Sequence, residues 1–468
     1  THFKNRYQIT NPKYISENSG VIKDKHNTYS LTEGISENVY NKIVKQILTN
    51  IPKLSEWHEK EILKKFDNIS WNDSIIALHK PENIGKYKSN FYERLAYDEI
   101  FASFIVKSEI RKKIKKIKKE KKIFDKDNQN DIISKLKFKL TNDQIKALEQ
   151  INRDLKSNQK MFRLLQGDVG SGKTIVALSA AYNVIKSGFQ VAVMAPTEIL
   201  ARQHYSLAKK IFDKKIRIEL LSSKSEPANK QKIIKKITNN EIDIIFSTHA
   251  IFQKKIVFHK LGLIIIDEQH KFGVNQRKKL SDKGGDNCDV LLMTATPIPR
   301  TLTMTIFGDM DLSIIKEKPK SRIEVKTYTK LENKIDDVLK FITKEISSGN
   351  QIFWVCPLIE LSKKIDHSSA VNKYEFLNKK FPNQVGLLHG KTDMETKEKI
   401  LNDFLNQKFK ILVSTTIIEV GIDFPNANLI IIENANKFGL SQLHQLRGRV
   451  GRGIRQSSCI LMFKSTLT

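Results

Sequence analysis

Three patterns of apolar and polar residues follow one another along the chain. Residues 1–30 are polar and carry only short alternating pieces, whereas from residue 36 apolar side chains such as Val39 and Ile43 recur at helical spacing. Beyond Leu136, short apolar runs alternate with helical patterns. That alternation predicts a mostly parallel sheet covered by helices.

Two successive sets of apolar runs predict strands. The first set comprises Phe162–Leu165, Val191–Met194, Ile242–Phe246, Leu261–Ile266 and Val290–Thr294. The second set comprises Ile323–Thr327, Gln351–Pro357, Val385–Leu388, Lys410–Ser414, Leu429–Glu433 and Cys459–Phe463. Because the two sets follow one another along the chain, they predict two similar α/β domains.

The helical part of the chain ends in a basic segment. Its pattern predicts a helix over Asp73–His79 and a long helix from near Ser89 past Ile117. Lys107–Lys122 contains ten Lys or Arg and two Glu. Such a run is either a positive rod beside a phosphate backbone or a solvated helix face, and the pattern leaves both open. The polar run Asp125–Asp131 predicts a linker and a domain boundary.

Composition bounds the class of protein. A chain of 468 residues is long enough for about three or four domains, and 40% hydrophobic with 8% aromatic residues is typical of a soluble globular protein. No apolar run approaches the length that spans a bilayer, and the first residues contain no apolar signal segment. Cys288, Cys356 and Cys459 lie far apart without metal-ligand spacing, which predicts buried free thiols in a reducing cytoplasm.

Charge favours a polyanionic partner. The net charge is +30, from 81 Lys and Arg against 51 Asp and Glu. Heavy use of Lys, Ile and Asn throughout the chain accounts for part of this surplus. The charge therefore supports nucleic-acid binding without establishing it.

Gly167–Thr174 is the strongest chemical signal in the chain. Its sequence, Gly-Asp-Val-Gly-Ser-Gly-Lys-Thr, fits the phosphate-binding pattern G-x-x-x-x-G-K-[ST] between a predicted strand and a predicted helix, which disfavours a simple glycine-rich turn. Backbone N–H groups and the helix N-terminus would bind phosphate oxygens. Lys173 would reach the β- and γ-phosphates of ATP, and Thr174 would hold Mg²⁺. The candidate loop residues are Gly167, Asp168, Val169, Gly170, Ser171, Gly172, Lys173 and Thr174.

A pair of carboxylates follows another predicted strand. Asp267 and Glu268 come directly after Leu261–Ile266, and a carboxylate at the carboxyl end of a buried strand faces the crevice where phosphates lie. Asp267 is therefore suited to hold Mg²⁺, and Glu268 to orient or deprotonate the attacking water. Thr294–Pro297 ends the next strand, where its hydroxyl groups could sense the state of His270.

Three polar residues near the C-terminal end have helical spacing. Gln445, Arg449 and Arg452 recur at i, i+4 and i+7, so a helix would present them on one face. Arginines brought from the second domain to the γ-phosphate would neutralise developing charge. The alternative is a basic surface helix, and the glycines of Gly448–Gly453 argue against it because they weaken a helix.

Together these blocks resemble the motors of superfamily 2 helicases and, more specifically, the bacterial RecG family of branched-DNA helicases. The blocks that carry the resemblance are Gly167–Thr174, Ala195–Ala201, Asp267–Gly273, Met293–Thr301, Trp354–Glu360, Thr415–Asp423 and Gln442–Gly453, with Leu31–Gly34 and Arg94–Glu99 in the helical part. The resemblance extends over nearly the whole chain.

The resemblance implies an ATP- and Mg²⁺-dependent helicase with two tandem RecA-like phosphate-loop domains. It assigns Gln144 to the adenine edge, and Gly421 and Asp423 to the second domain's side of the nucleotide cleft. It assigns six residues to the DNA path: Thr197, Thr248, His249, His389, Gly390 and Thr415. The chain would act as a monomer on replication forks and Holliday junctions, by fork reversal and branch migration in recombination and repair. Single-stranded DNA-binding protein would be a further partner.

The resemblance also implies a domain order. Residues 1–30 would end an oligonucleotide-binding (OB-fold) wedge domain, 31–130 would form a helical linker, 131–318 the ATP-binding RecA-like domain and 319–468 the second RecA-like domain. Most of the wedge would precede residue 1, and a C-terminal hairpin would follow Thr468. The chain is therefore expected to keep its ATPase cleft but to unwind forks poorly.

Departures from the family pattern concern expected DNA contacts. Leu220–Lys224 stands in place of a Thr-Gly-Ser block, Ser247 in place of Gly, and Ser321 in a Pro-Pro-Gly-Arg-like turn. Two other functions stay open. One is a transcription–repair coupling translocase, for which Glu is expected at Gln269. The other is a DNA-binding module with an inactive cleft, against which the intact Lys173 argues.

Overall fold

The computed structural model describes most of the chain. The described residues are 2–3, 6–7, 29–30, 32–80, 89–136, 138–222, 226–252, 256–268, 285–295, 310–319, 323–357, 363–390, 392–415, 424–451 and 455–464. The chain divides into two compact units, residues 1–108 and 109–468. No helix within the described residues is long and apolar enough to cross a membrane.

The first unit is helical apart from a short antiparallel pair of strands. Its elements are β1 (His2–Phe3), β2 (Arg6–Tyr7), α1 (Glu37–Thr49), α2 (Lys60–Lys64), α3 (Trp71–Leu78) and most of α4 (Asn90–Lys116). Ser36 and Ser70 cap α1 and α3 by accepting hydrogen bonds from the backbone N–H groups of Val39 and Asp73. Residues 8–28 lie outside the described part, so the wedge remnant stays a prediction.

A partly buried charge cluster joins α4 to the segment before α2. The Arg94 side chain is fully buried, and its Nη2 donates to both carboxylate oxygens of Glu56 at 2.9 Å. Arg94 also pairs with Asp98, whose Oδ1 lies 2.6 Å from His58 Nε2. Burial acts to raise the pKa of Glu56, but the bonds from Arg94 and the His58 backbone outweigh it and lower that pKa.

Seven parallel strands form the first sheet of the second unit. They are β3 (Phe162–Gly167), β4 (Gln190–Met194), β5 (Ile218–Leu221), β6 (Ile244–Ser247), β7 (Leu261–Ile266), β8 (Asp289–Thr294) and β9 (Asp311–Ile315). Their order is β5-β6-β4-β7-β8-β3-β9, and each neighbouring pair is parallel. The accompanying helices are α5 (Lys126–Lys135), α6 (Asn142–Lys156), α7 (Lys173–Lys186), α8 (Glu198–Ile211) and α9 (Pro227–Thr238).

Six parallel strands form the second sheet. They are β10 (Lys326–Leu331), β11 (Gln351–Val355), β12 (Val385–Leu388), β13 (Ile411–Ser414), β14 (Ala427–Ile432) and β15 (Ser458–Phe463). Their order is β10-β15-β14-β11-β13-β12, again with parallel neighbours. The helices are α10 (Ile335–Ser347), α11 (Lys363–Lys380), α12 (Met394–Leu405) and α13 (Leu440–Arg447).

Burial on both faces explains why the central strands read as unbroken apolar runs. On β7, Leu263 and Ile265 belong to one core cluster, whereas Ile264 and Ile266 belong to another on the opposite face. The second sheet divides its residues between two clusters in the same way. The predicted pair of α/β domains with parallel sheets is therefore confirmed. The three cysteines are free and buried, as predicted.

Two local predictions were wrong, and two strands were missed. Asp125–Asp131 belongs largely to α5 rather than to a linker, because Ile132 in that helix is only 1% exposed and packs in the core with α7. The first strand of the second sheet begins at Lys326 rather than Ile323. The strands β5 and β9 were not predicted: β9 lies at the sheet edge, where Asp311 and Ser313 interrupt its apolar pattern.

The basic segment proves to be neither a free positive rod nor a fully solvated face. Within the second unit, Arg111 and Lys115 pair with Asp311 at the start of β9. Lys119 and Lys122, which follow the end of α4, are buried. Lys112, within α4, is exposed. Four of the ten basic side chains in Lys107–Lys122 therefore pair with carboxylates at the beginnings of strands.

Asp289 is the acceptor for two of these lysines. Its Oδ2 lies 2.5 Å from Lys119 Nζ and 2.9 Å from Lys122 Nζ, and its Oδ1 accepts from the Met161 backbone N–H at 2.7 Å. All three ionic side chains are buried. Burial lowers the pKa of Lys119, which the charge of Asp289 opposes. The cluster fixes the starts of β8 and β3 beside each other.

Asp289→Asn is expected to destabilise the second unit by about 3–5 kcal/mol, because two buried ammonium groups would lose their counter-charge. Urea unfolding at neutral pH measures this change. Asp286→Asn makes the same chemical change at an exposed position three residues earlier, and should shift the free energy of unfolding by less than about 0.5 kcal/mol. Equal effects from the two variants would contradict the anchoring role.

Candidate nucleotide cleft

The loop between β3 and α7 has the backbone of a phosphate-binding loop. Gly170 and Gly172 adopt φ values of 76° and 84°, in the left-handed region that favours glycine. A Cβ at Gly172 would also overlap the side-chain amide of Gln144. The helix that follows begins at Lys173, so its N-terminal N–H groups and positive dipole end lie beside the loop.

Lys173 is held inside this loop. Its side chain is buried, and Nζ donates to the carbonyl oxygens of Gly167 at 2.8 Å and Asp168 at 3.0 Å. Both acceptors belong to the loop itself. The ammonium group therefore donates only to neutral carbonyl oxygens in these two bonds. Negatively charged phosphate oxygens would be stronger acceptors and could replace them.

Gln144 supports the loop from α6. Its Nε2 donates to the Ser171 carbonyl oxygen at 2.7 Å, and its Oε1 accepts from the Thr141 backbone N–H at 2.9 Å. The second contact is half of a capping box at the start of α6. Gln144 thus joins the beginning of a helix to the phosphate loop, a supporting role that the sequence did not reveal. Its assignment to the adenine edge stays a prediction.

Asp267 lies at the carboxyl end of β7, as predicted, with its side chain oriented by two donors. Its Oδ2 is 2.9 Å from His204 Nε2 on α8, and its Oδ1 accepts from the Glu268 backbone N–H at 3.0 Å. Burial acts to raise the pKa of Asp267, but His204 and the charge of Lys173 outweigh it and hold that pKa below its usual value. Asp267 is therefore a buried carboxylate.

Glu268 adopts a backbone conformation that is uncommon for a residue with a side chain. Its φ is 51°, in the left-handed region. The side chain is buried next to Asp267. Strained backbone of this kind concentrates at functional sites, where the surrounding fold maintains it.

The side chains at this site suit Mg²⁺ better than a metal ion that binds to protein ligands alone. No cluster of three or more His, Cys, Asp or Glu side chains with metal-binding geometry occurs in the described ranges. The carboxylate of Asp267, whose pKa is lowered, and the hydroxyl of Thr174 are the candidate ligands. Mg²⁺ is ordinarily bound by one or two such groups together with substrate phosphates and water.

The second sheet domain contacts the loop through α13. His444 Nε2 lies 2.9 Å from Asp168 Oδ1, and Lys318 Nζ lies 3.2 Å from Asp168 Oδ2. A Cβ at Gly448 would lie only 2.8 Å from Val169 Cβ, so glycine permits this approach. Burial acts to raise the pKa of Asp168, but His444 and Lys318 more than offset it and lower that pKa. The sequence did not identify His444 or Lys318.

The predicted helical face of Gln445, Arg449 and Arg452 needs correction. Helix α13 ends at Arg447 with Gly448 as its C-cap, so the i, i+7 argument does not apply beyond that residue. Gln445 and Arg449 are nevertheless both buried near the end of α13. Arg452 lies outside the described residues, as do Gly421, Asp423, His270 and Thr296.

The residues predicted for the DNA path follow the carboxyl ends of strands. Thr197 follows β4 and caps α8, where Oγ1 accepts from the Leu200 backbone N–H at 3.4 Å. Thr248 and Thr415 follow β6 and β13 and are buried. His389 and Gly390 follow β12. His249 begins a short 3₁₀ turn, and its side chain lies outside the described part.

Comparison with known proteins identifies two helicase families within the chain. Residues 141–305 match the DEAD/DEAH box helicase family, and residues 333–453 match the helicase conserved C-terminal domain. The chain is 41% identical over 467 residues to the ATP-dependent DNA helicase RecG of Thermotoga maritima, covering 98% of this chain and 59% of that protein. It is 41% identical over 466 residues to RecG of Streptococcus pneumoniae, covering 97% and 68%.

Solved structures agree. A structure of RecG bound to a three-way DNA junction superposes with a TM-score of 0.76 at 39% identity, covering 94% of this chain and 58% of that one. An RNA-bound Mss116p structure, with a TM-score of 0.55 at 19% identity, covers 75% of this chain and 77% of that one and shares the fold alone. The chain spans 59% and 64% of the Thermotoga maritima and Bacillus subtilis relatives. With 41% identity along 68% of the pneumococcal protein, the chain belongs to the RecG family of ATP-dependent DNA helicases.

Proposed function

We propose that this chain is the motor of an ATP-dependent helicase that acts on branched DNA. Family membership supports this function, and one structural observation carries it. The phosphate loop of one sheet domain meets α13 of the other, with Asp168 Oδ1 and His444 Nε2 2.9 Å apart. A nucleotide in this loop would touch both domains, so its hydrolysis would alter how they fit together.

The proposed ATP site combines local binding with groups from the second domain. Lys173 and the loop N–H groups hold the β- and γ-phosphates, and Gln144 reads the adenine edge. Glu268 orients the attacking water. Gln445, Arg449 and Arg452 complete the cleft, where the arginines neutralise charge that develops on the transferred phosphoryl group. Gly421 and Asp423 are proposed to line the same side of the cleft.

Thr174 and Asp267 are proposed to hold Mg²⁺. When bound, Mg²⁺ would offset the charge of the β- and γ-phosphate oxygens. The part played by the chain is orientation: Asp267 is ionised and held by His204 and the Glu268 N–H, and Thr174 lies in the first turn of α7.

The proposed DNA path follows the carboxyl edges of both sheets. Its candidate residues are Thr197, Thr248, His249, His389, Gly390 and Thr415. A RecG relative was solved bound to a three-way DNA junction, and the net charge of +30 favours a polyanionic partner. We propose the same class of partner here, with replication forks and Holliday junctions as substrates for fork reversal and branch migration in recombination and repair.

The wider organisation is also proposed. Residues 1–30 end a wedge domain, 31–130 link it to the motor, and 131–318 and 319–468 are the two RecA-like domains. The chain acts as a cytoplasmic monomer, with single-stranded DNA-binding protein as a partner. The transcription–repair coupling alternative is not favoured, since the relatives with about 41% identity are RecG helicases.

Lys173→Ala is expected to abolish ATP hydrolysis, with a loss of at least about 10²-fold, because the variant lacks the charge that binds the phosphates. Steady-state phosphate release is measured with forked DNA, with linear duplex of equal length and without DNA. The native chain should respond more to the fork than to the linear duplex.

Lys186→Ala is the matched control for this experiment, since Lys186 is an exposed lysine at the far end of the same helix. It should hydrolyse ATP like the native chain. If the native and Lys173→Ala chains hydrolyse ATP equally slowly, residues 1–468 have no enzyme activity of this kind and act as a binding module.

Arg452→Ala is expected to keep ATP binding while the hydrolysis rate falls on the order of 10³-fold, because the substitution removes charge only where the transition state needs it. Equilibrium binding of a fluorescent nucleotide and single-turnover hydrolysis separate the two effects. Arg455→Ala removes a nearby arginine that donates instead to Ser348 O and Asn350 Oδ1, and should leave the hydrolysis step unchanged. Retained hydrolysis in Arg452→Ala would remove that residue from the cleft.

A further inference from the structure

Helix α8, which is not part of the phosphate loop, contacts the proposed metal ligand Asp267. His204 lies near the middle of this helix and is only 5% exposed. Its Nε2 is 2.9 Å from Asp267 Oδ2. A histidine buried in a helical face would ordinarily pack against apolar neighbours, but this one meets a carboxylate at the end of the central strand β7.

The direction of this hydrogen bond follows from the chemistry of the pair. A carboxylate that binds a metal ion is ionised and can only accept hydrogen bonds, so in that form of Asp267 the shared proton belongs to His204 Nε2, 2.9 Å away. The other oxygen of Asp267 accepts from the Glu268 N–H at 3.0 Å. With one donor on each oxygen, the plane of the carboxylate is fixed. The remaining lone pairs then have set directions, as a metal ligand requires.

The position of α8 is itself determined at its first turn. Thr197 caps the helix, and buried Glu198 accepts from Arg202 at 2.8 Å and from the Ser222 hydroxyl. Ile199, in the same turn, packs against the hydrophobic core of the second sheet domain. Helix α8 therefore has one end against the second domain and its middle against Asp267.

A cavity of about 480 Å³ lies between α8 and α12. His204, Arg202 and Gln203 line it on one side, Glu398 and Asn402 line it on the other, and Thr174 borders it. The cavity thus joins the proposed Mg²⁺ ligand Thr174 to the His204 face of α8. Of the pair formed by His204 and Asp267, it is His204 that lines this cavity.

We propose that His204 is a positioning residue, which holds Asp267 in the orientation that binds Mg²⁺ and ties this ligand to α8. The proposal rests on the proposed function of Asp267 as a Mg²⁺ ligand. It predicts that removal of the Nε2 donor weakens metal binding, whereas a side chain that replaces the donor at the same distance preserves it. A histidine that merely fills space would make no such distinction.

The test measures binding of Mn²⁺ in the presence of a non-hydrolysable ATP analogue, by electron paramagnetic resonance. His204→Ala should bind Mn²⁺ about 10–100-fold more weakly than the native chain. His204→Gln carries an amide N–H donor near the position of Nε2, and should stay within about threefold of native. His259→Ala, at an exposed histidine that precedes β7, is the matched control and should behave like native.

Nucleotide binding without any divalent cation, together with the melting temperature, shows that each variant is folded and that its phosphate loop is intact. If His204→Ala binds Mn²⁺ as tightly as native, or if His204→Gln is as weak as His204→Ala, the positioning role is overturned.

Asp267→Asn separates this inference from the proposed function. If Asp267→Asn binds Mn²⁺ as the native chain does, the assignment of Asp267 as a ligand is wrong, and the inference about His204 is lost with it. If Asp267→Asn is weak while His204→Ala is normal, the metal site stands and only the role of His204 is rejected. Weak binding by both variants, with His204→Gln near native, supports both.

Discussion

The phosphate loop is confined by close backbone approach on two sides, and the rest of the cleft depends on that confinement. On one side, Gly172 lies under the Gln144 amide with a φ of 84°. On the other side, Gly448 at the end of α13 lies against Val169. Neither contact has room for a side chain. The loop therefore keeps a set distance from α6 in its own domain and from α13 in the second, which fixes where a nucleotide can contact both.

Three acidic side chains of this unit each have hydrogen-bond donors of their own. Asp289 is held by two lysines, Asp267 by His204 and a backbone N–H, and Asp168 by His444 and Lys318. Without such partners, burial would favour the neutral acid. The chemical consequence differs by position. At the start of a strand the pair contributes to stability, whereas at the carboxyl end of β7 it leaves a negative charge available for a metal ion.

The sequence predicted the parts of this site that depend on local pattern. Gly167–Thr174 and Asp267 were found because their neighbours along the chain are a strand and a helix, and the family and the two-sheet fold are confirmed. His204, His444 and Lys318 were missed, since each acts on a residue far away in sequence and has no distinctive neighbours of its own. The end of α13 before Arg449 could have been predicted from Gly448, because glycine commonly ends a helix. The helix at Lys126–Lys135 was beyond local pattern, because the burial of Ile132 in the core favours it.

The two ion pairs, His204 with Asp267 and His444 with Asp168, differ in how deeply they are buried. His204 and Asp267 are almost completely buried, at 7% and 10% side-chain exposure, so separating them would leave an uncompensated charge and cost several kcal/mol. His444 and Asp168 are 30% and 22% exposed, and a pair in that setting is worth about 0–1 kcal/mol. Separating the pair within the first domain would therefore cost more than separating the ion pair between the domains. Loss of the ion pair between the domains would leave in place the two hydrogen bonds that orient Asp267.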